Sequence, residues 1–147
     1  MPQAISSLPV GIVIEPERSV VEPKHYDGNS LRGLTGSNIH TRNRTLTISA
    51  LDSDVQVIEY GVFGWCDDRW IDVTDQQKPY PAEGFAEVFE CEGAILRVGE
   101  TYTSERFGNV RNVPQEAPVF YRWYFIGETE GKRVRGEVTL VDLPIQN

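Results

Sequence analysis

Residues 118–127 read PVFYRWYFIG, and no other stretch of the chain restricts its fold as much. Val119, Tyr121, Trp123 and Phe125 alternate with Phe120, Arg122, Tyr124 and Ile126. Successive side chains of a strand point to opposite faces, so both faces of this one carry large groups. A strand with one face on a core and the other in water needs only one apolar face. The segment therefore predicts a strand covered on both sides, by an opposing sheet within and by a partner or an arm without. An aromatic patch kept for recognition is the other way to use the surplus. Arg122 lies in the middle of the outer set, and arginine and aromatics are enriched where proteins meet.

The rest of the chain is built of similar runs. RTLTISAL (44–51) sends Leu46, Ile48 and Ala50 one way and Thr45, Thr47 and Ser49 the other. Asp52-Ser53-Asp54 then reads as a turn, since short polar side chains hydrogen-bond nearby backbone. In VQVIEYGVFGW (55–65) the parity changes between Val57 and Ile58, which is what the extra residue of a β-bulge produces. A short strand is expected at 69–73, a proline-bearing loop at 74–84, and strands near 85–91 and 94–98. Residues 99–117 read as a long loop with a short strand at 100–103. The aromatic strand pairs with RVRGEVTLV (133–141) across a hairpin in which Gly131 takes a positive φ.

No long segment repeats its apolar residues every 3.6 positions, so the expected class is all-β. The specific expectation is an antiparallel two-sheet β-sandwich, immunoglobulin-like or jelly-roll-like, over 44–147. The aromatic strand and its hairpin resemble the last two strands of immunoglobulin-like domains. Cys66 and Cys91 do not fall where the inter-sheet pair of such domains sits, and two reduced, packed thiols are expected.

Residues 1–43 are of another kind. Val10, Ile12 and Ile14 alternate, then Glu15-Pro16 and Glu22-Pro23 break the pattern, and DGNSLRGLTGSNIHTRN follows with almost no core material. Proline removes ladder donors, so this region suits an edge strand or an extended arm. Its start lacks a basic region before the apolar run, so no export signal is expected, and synthesis in the cytoplasm follows. No run of about 18 apolar residues is present to span a bilayer.

Chemistry finds little purchase. The two histidines, His25 and His40, sit in the polar stretch near no nucleophile motif, so no catalytic residue is assigned. Neither they nor the cysteines have the spacing of a zinc site. The aspartates of CDDRWIDVTD are turn caps or solvated groups rather than a calcium loop. No metal or cofactor is expected. With 22 acidic against 14 basic residues the net charge is −8, a field that repels nucleic acid and anionic membrane.

By elimination the chain is expected to be a non-enzymatic structural protein of a larger assembly. A virion is the expected setting, with the chain as a capsid decoration (cement) or tail accessory protein that also self-associates. Its protein contacts would be Val10, Ile12 and Ile14 of the arm and Phe120, Arg122 and Tyr124 of the aromatic strand. The alternative is a carbohydrate-binding, lectin-like module with Trp65, Trp70 and Tyr80 as a stacking platform.

Overall fold

In a computed structural model, which describes residues 3–16, 44–107 and 119–142, the alternating runs become strands of two antiparallel sheets. In chain order these are β1 (Ile12–Pro16), β2 (Arg44–Ala50), β3 (Val55–Cys66), β4 (Arg69–Asp72), β5 (Tyr80–Pro81) and β6 (Ile95–Leu96). After them come β7 (Thr101–Phe107), β8 (Val119–Thr129) and β9 (Lys132–Asp142). Two short α-helices, α1 (Gln3–Ser6) and α2 (Ala82–Val88), and two 3-10 turns, Asp75–Gln77 and Glu92–Ala94, complete the described elements.

One sheet has the order β1-β2-β7 and the other β4-β3-β8-β9, with β5 and β6 pairing further along β3. Alternation decides which side chains meet between them. Ile12, Leu46, Ile48 and Ala50 of the smaller sheet share a buried cluster with Val57, Tyr60, Phe125, Val134, Val138 and Leu140 of the larger. The bulge lies where the parity change put it: Val57 faces Gly127 and Glu59 faces Ile126, so Ile58 is the extra residue. The hairpin between β8 and β9 closes on Glu130-Gly131, with Gly131 at φ 77°.

Two expectations are corrected. Residues 85–91 are not a strand: 82–88 form α2, which buries Phe85, and Phe89 packs beside it with ring centroids 4.7 Å apart. The spacing of Phe85 and Phe89 is that of neighbours on a helix face, and Ala82 and Ala86 flank the same cluster. The short strand expected at 100–103 is longer, Thr101–Phe107, with outward Thr103 hydrogen-bonded to Thr47 at 3.2 Å, so 104–107 are strand rather than loop. Their alternation is polar outside and sparse inside, which hides a strand from an apolar count. Both cysteines are free thiols, Cys91 buried and Cys66 exposed.

Residues 3–16 are held against both sheets. From α1 the chain runs beside β9, where the Arg135 N–H donates to the Pro9 carbonyl at 2.9 Å and the Gly11 N–H to the Arg135 carbonyl at 3.0 Å. The Gly11 carbonyl then accepts from the Leu51 N–H at 2.9 Å, and the chain continues as β1 on β2. Gly11 is thus a corner bonded to both sheets. A Cβ there would lie 2.6 Å from Val134 Cβ, and one on Gly136 would lie 2.7 Å from the Ile12 carbonyl oxygen. Only hydrogen side chains permit this approach. As an outer strand, β1 tolerates Pro16 without losing a ladder bond inside the sheet. The remainder of the expected arm, 17–43, lies outside the described residues.

Thr74 fills a gap in the larger sheet. Along one side of β3, β4 pairs with 63–66 and β5 with 59–60, leaving Val62 between them. The buried Thr74 hydroxyl accepts from the Val62 N–H at 2.9 Å and donates to the Val62 carbonyl at 3.2 Å. Thr74→Val should therefore cost about 1–3 kcal/mol by stranding the buried Val62 N–H, the Val62 carbonyl keeping the Val73 N–H at 3.0 Å, read as a lower urea midpoint at unchanged slope. Gly136→Ala should cost about 1–3 kcal/mol through overpacking against Ile12, seen in the same measurement.

Candidate functional site

β3 turns into β4 through Asp67-Asp68, with φ of 52° and 60°. Two left-handed residues make the tight loop whose twist suits a hairpin. That register sets Trp65 opposite Trp70. Their rings meet edge to face, 5.1 Å between centroids at 67°, a favoured geometry because the positive ring edge points at a negative face. On the neighbouring β8, Arg122 lies opposite Phe63. Its guanidinium carbon sits 4.3 Å above the Trp70 ring, and its Nε donates to Thr139 Oγ1 on β9 at 3.2 Å. A cation over an indole face is attracted by the ring quadrupole. Trp65, Trp70 and Arg122 are all half-buried.

This cluster unites one residue of the expected protein contact, Arg122, with two of the expected sugar platform. The other expected residues go elsewhere. Phe120 and Tyr124 are buried, so the outer face of β8 is not an open contact surface. Tyr124 and Ile126 pack with Phe63 in a second cluster, covered by Ile5, Leu8 and Trp70. The surplus bulk of the aromatic strand is thus largely sealed by the chain's own N-terminal residues and by β4. Ile12 is core, Ile14 packs half-buried against the core, and Val10 is half exposed.

Tyr80 lies on the other face of the larger sheet. It packs on Tyr60 at 4.9 Å and stacks with Trp123 at 6.4 Å, so it cannot share a platform with Trp65 and Trp70. The platform is further reduced because Arg122 occupies a face of Trp70 and the two indoles stand at a steep angle.

The aspartates perform backbone work. Asp54 Oδ1 accepts from the Val98 N–H at 2.8 Å and Oδ2 binds Arg97 at 3.0 Å, which holds the Asp54 carboxyl below its usual range. Asp72 Oδ1 accepts from the Thr74 N–H at 2.9 Å. Among the described residues no three His, Cys, Asp or Glu side chains gather as a metal would require. His25 and His40 lie outside them. A cleft of about 430 Å³ is lined by Val88, Glu90, Thr103, Ser104 and Glu105. No helix among the described residues is long and apolar enough to cross a membrane.

Sequence reasoning missed Thr139, which fixes Arg122, and the covering pair Ile5 and Leu8. The spacing of Ile5 and Leu8, three positions apart in QAISSL, was the available signal. Compared with known proteins, the chain matches no family model, and no curated protein or solved structure is significantly similar to it.

Two tyrosines report on how well the faces are sealed. Burial pushes the Tyr124 phenol up to about 12, with Asp72 and Glu59 adding to the shift. Tyr60 also rises to about 12, by burial and then through Tyr80 and Glu87. Raised folded-state values mean that the neutral phenol is the form the fold favours. The contribution is whole below the ordinary tyrosine value of about 10 and is lost as pH climbs from there towards 12. Alkaline titration followed by tyrosinate absorbance should therefore show two late phenols, and Tyr124→Phe should lessen the fall in stability over that window.

Proposed function

We propose that this chain is a non-enzymatic structural protein that works by protein–protein contact inside a repetitive assembly, as a virion capsid decoration (cement) or tail accessory protein. Its two antiparallel sheets are read as a β-sandwich, of immunoglobulin-like or jelly-roll-like layering. The observation that carries the proposal is the half-exposed Trp65–Trp70–Arg122 cluster. Tryptophan and arginine are the residues on which binding energy concentrates, and these are held in place before any partner arrives. Trp65 stands on Trp70, Arg122 lies over Trp70, and Thr139 fixes Arg122. Ordering such side chains beforehand lowers the entropic cost of association.

Position supports the same reading. β4 is the outer strand of its sheet, so a partner reaching the cluster also meets an edge with hydrogen-bonding groups to offer. The net charge of −8 favours protein partners over nucleic acid. The sugar-binding alternative is weakened by the removal of Tyr80 to the opposite face and by the guanidinium on Trp70. The contact surface moves accordingly, from the whole outer face of β8 to its junction with the β3–β4 hairpin.

The test is native mass as a function of concentration, alone and with candidate shell proteins. The wild-type chain should form oligomers or dock. Arg122→Ala and Trp70→Ala should each weaken that association about 30-fold, the ratio for a loss of about 2 kcal/mol at a central contact. Far-UV circular dichroism should not change. A chain that stays monomeric, yet shows a saturable tryptophan fluorescence change with oligosaccharide, would replace this reading with the carbohydrate one.

A further inference from the structure

The segment 3–16 is held by distant parts of the chain. Arg135, whose Nε also donates to the Leu8 carbonyl at 2.8 Å, is 127 positions away from that residue. Ile5 and Leu8 lie over Phe63, Tyr124 and Ile126, Ile12 fills the shared core, and β1 pairs with β2 from Ile12 to Pro16. Between this segment and β2 lie residues 17–43, whose sequence has no strand alternation and carries Pro23, Gly28, Gly33 and Gly36. Twenty-seven residues reach at most about 90 Å when extended, several times the roughly 20 Å length of a strand of average size.

We infer that residues 3–16 form an exchangeable strap, which in a dense array seats on a second copy of this chain. Every copy carries the same seat, made by the edge of β9, the edge of β2 and the pocket under Ile12. An exchanged strap makes the same bonds as a retained one. Exchange of an identical element is a low-cost route to association. Being part of the same chain gives the strap a finite effective concentration at its own seat, about millimolar where a connection is short and flexible. Close packing of neighbours offers a comparable concentration of other seats, so the balance tips with density. The seat cannot stay empty, because without Ile12 the core common to both sheets lies open. A strap taken from one copy must therefore be replaced from another, which makes the exchange reciprocal or continuous along an array.

This inference rests on the proposed repetitive assembly for its density of copies, but does not depend on the contact at Trp70. Deleting the strap is a poor test, since loss of Ile12 disrupts the core by itself. Glu15 and Thr47 are directly paired across β1 and β2 on the outward side, so cysteines at these two positions would face each other. In full-length chains carrying Cys66→Ser, Glu15→Cys is placed on one mass-tagged copy and Thr47→Cys on another. The two are mixed, concentrated to roughly millimolar, and oxidised; a chain with both substitutions marks the position of the intrachain product. A disulfide between the two different copies, growing with concentration, is the expected result. Its absence at a concentration where native mass shows dimers places the contact elsewhere and overturns the inference, as does a chain that never leaves the monomer. Repeating the mixture with Trp70→Ala separates the two proposals: the heterodisulfide should persist even where docking through the tryptophan cluster is lost.

Discussion

The architecture depends on one close passage of backbone. At Gly11 and Gly136 the N-terminal segment and β9 approach until no side chain fits between them. There the chain leaves the larger sheet and joins the smaller one, with Gly11 donating to Arg135 and receiving from Leu51. That corner delivers Ile12 to the core and holds Ile5 and Leu8 over the opposite face of β8. Apolar burial drives the association, but the two glycines set where it is permitted. Without the corner the two sheets would share less core and the second cluster would open to water.

The aromatic strand gains its meaning from this arrangement. Phe125 belongs to the core between the sheets, where it stacks on Tyr60 with ring centroids 5.6 Å apart. Tyr124 and Ile126 belong to the second cluster, 5.6 Å separating the rings of Phe63 and Tyr124. Two independent covers therefore lie on one ribbon, and its surplus is absorbed within the chain along most of its length. On its outer face large side chains remain half open where Arg122 meets Trp70, and on its inner face Tyr121 and Trp123 are half-buried as well. The candidate site is the residue of a burial problem that the fold solves almost completely.

Local signals were legible wherever two or three neighbouring residues decide the outcome. The parity change at Ile58 gave the bulge, Gly131 the hairpin, and Pro16 the outer position of β1. The helix over 82–88 was masked because Phe85 and Phe89 satisfy an alternating pattern as well as a helical one, and seven residues are too few to separate the two periods. The strand 101–107 was legible only over its first residues because its outward hydroxyls carry no apolar signal. For the site, the residue types were visible and their grouping was not. Arg122 and Trp70 lie 52 positions apart by their numbering, and Tyr80, much nearer Trp70 in sequence, faces the other way.

What the sequence determined by itself is the strand-forming alternation, the places where it is interrupted, and the need to cover both sides of residues 118–127. These follow from backbone geometry and side-chain chemistry within a few residues. Which body supplies the outer cover was decided only by the tertiary structure, because it turns on whether two distant backbones can meet at Gly11 and Gly136. Steric fit across more than a hundred positions has no local trace, and it is that fit which leaves Trp65, Trp70 and Arg122 at the surface.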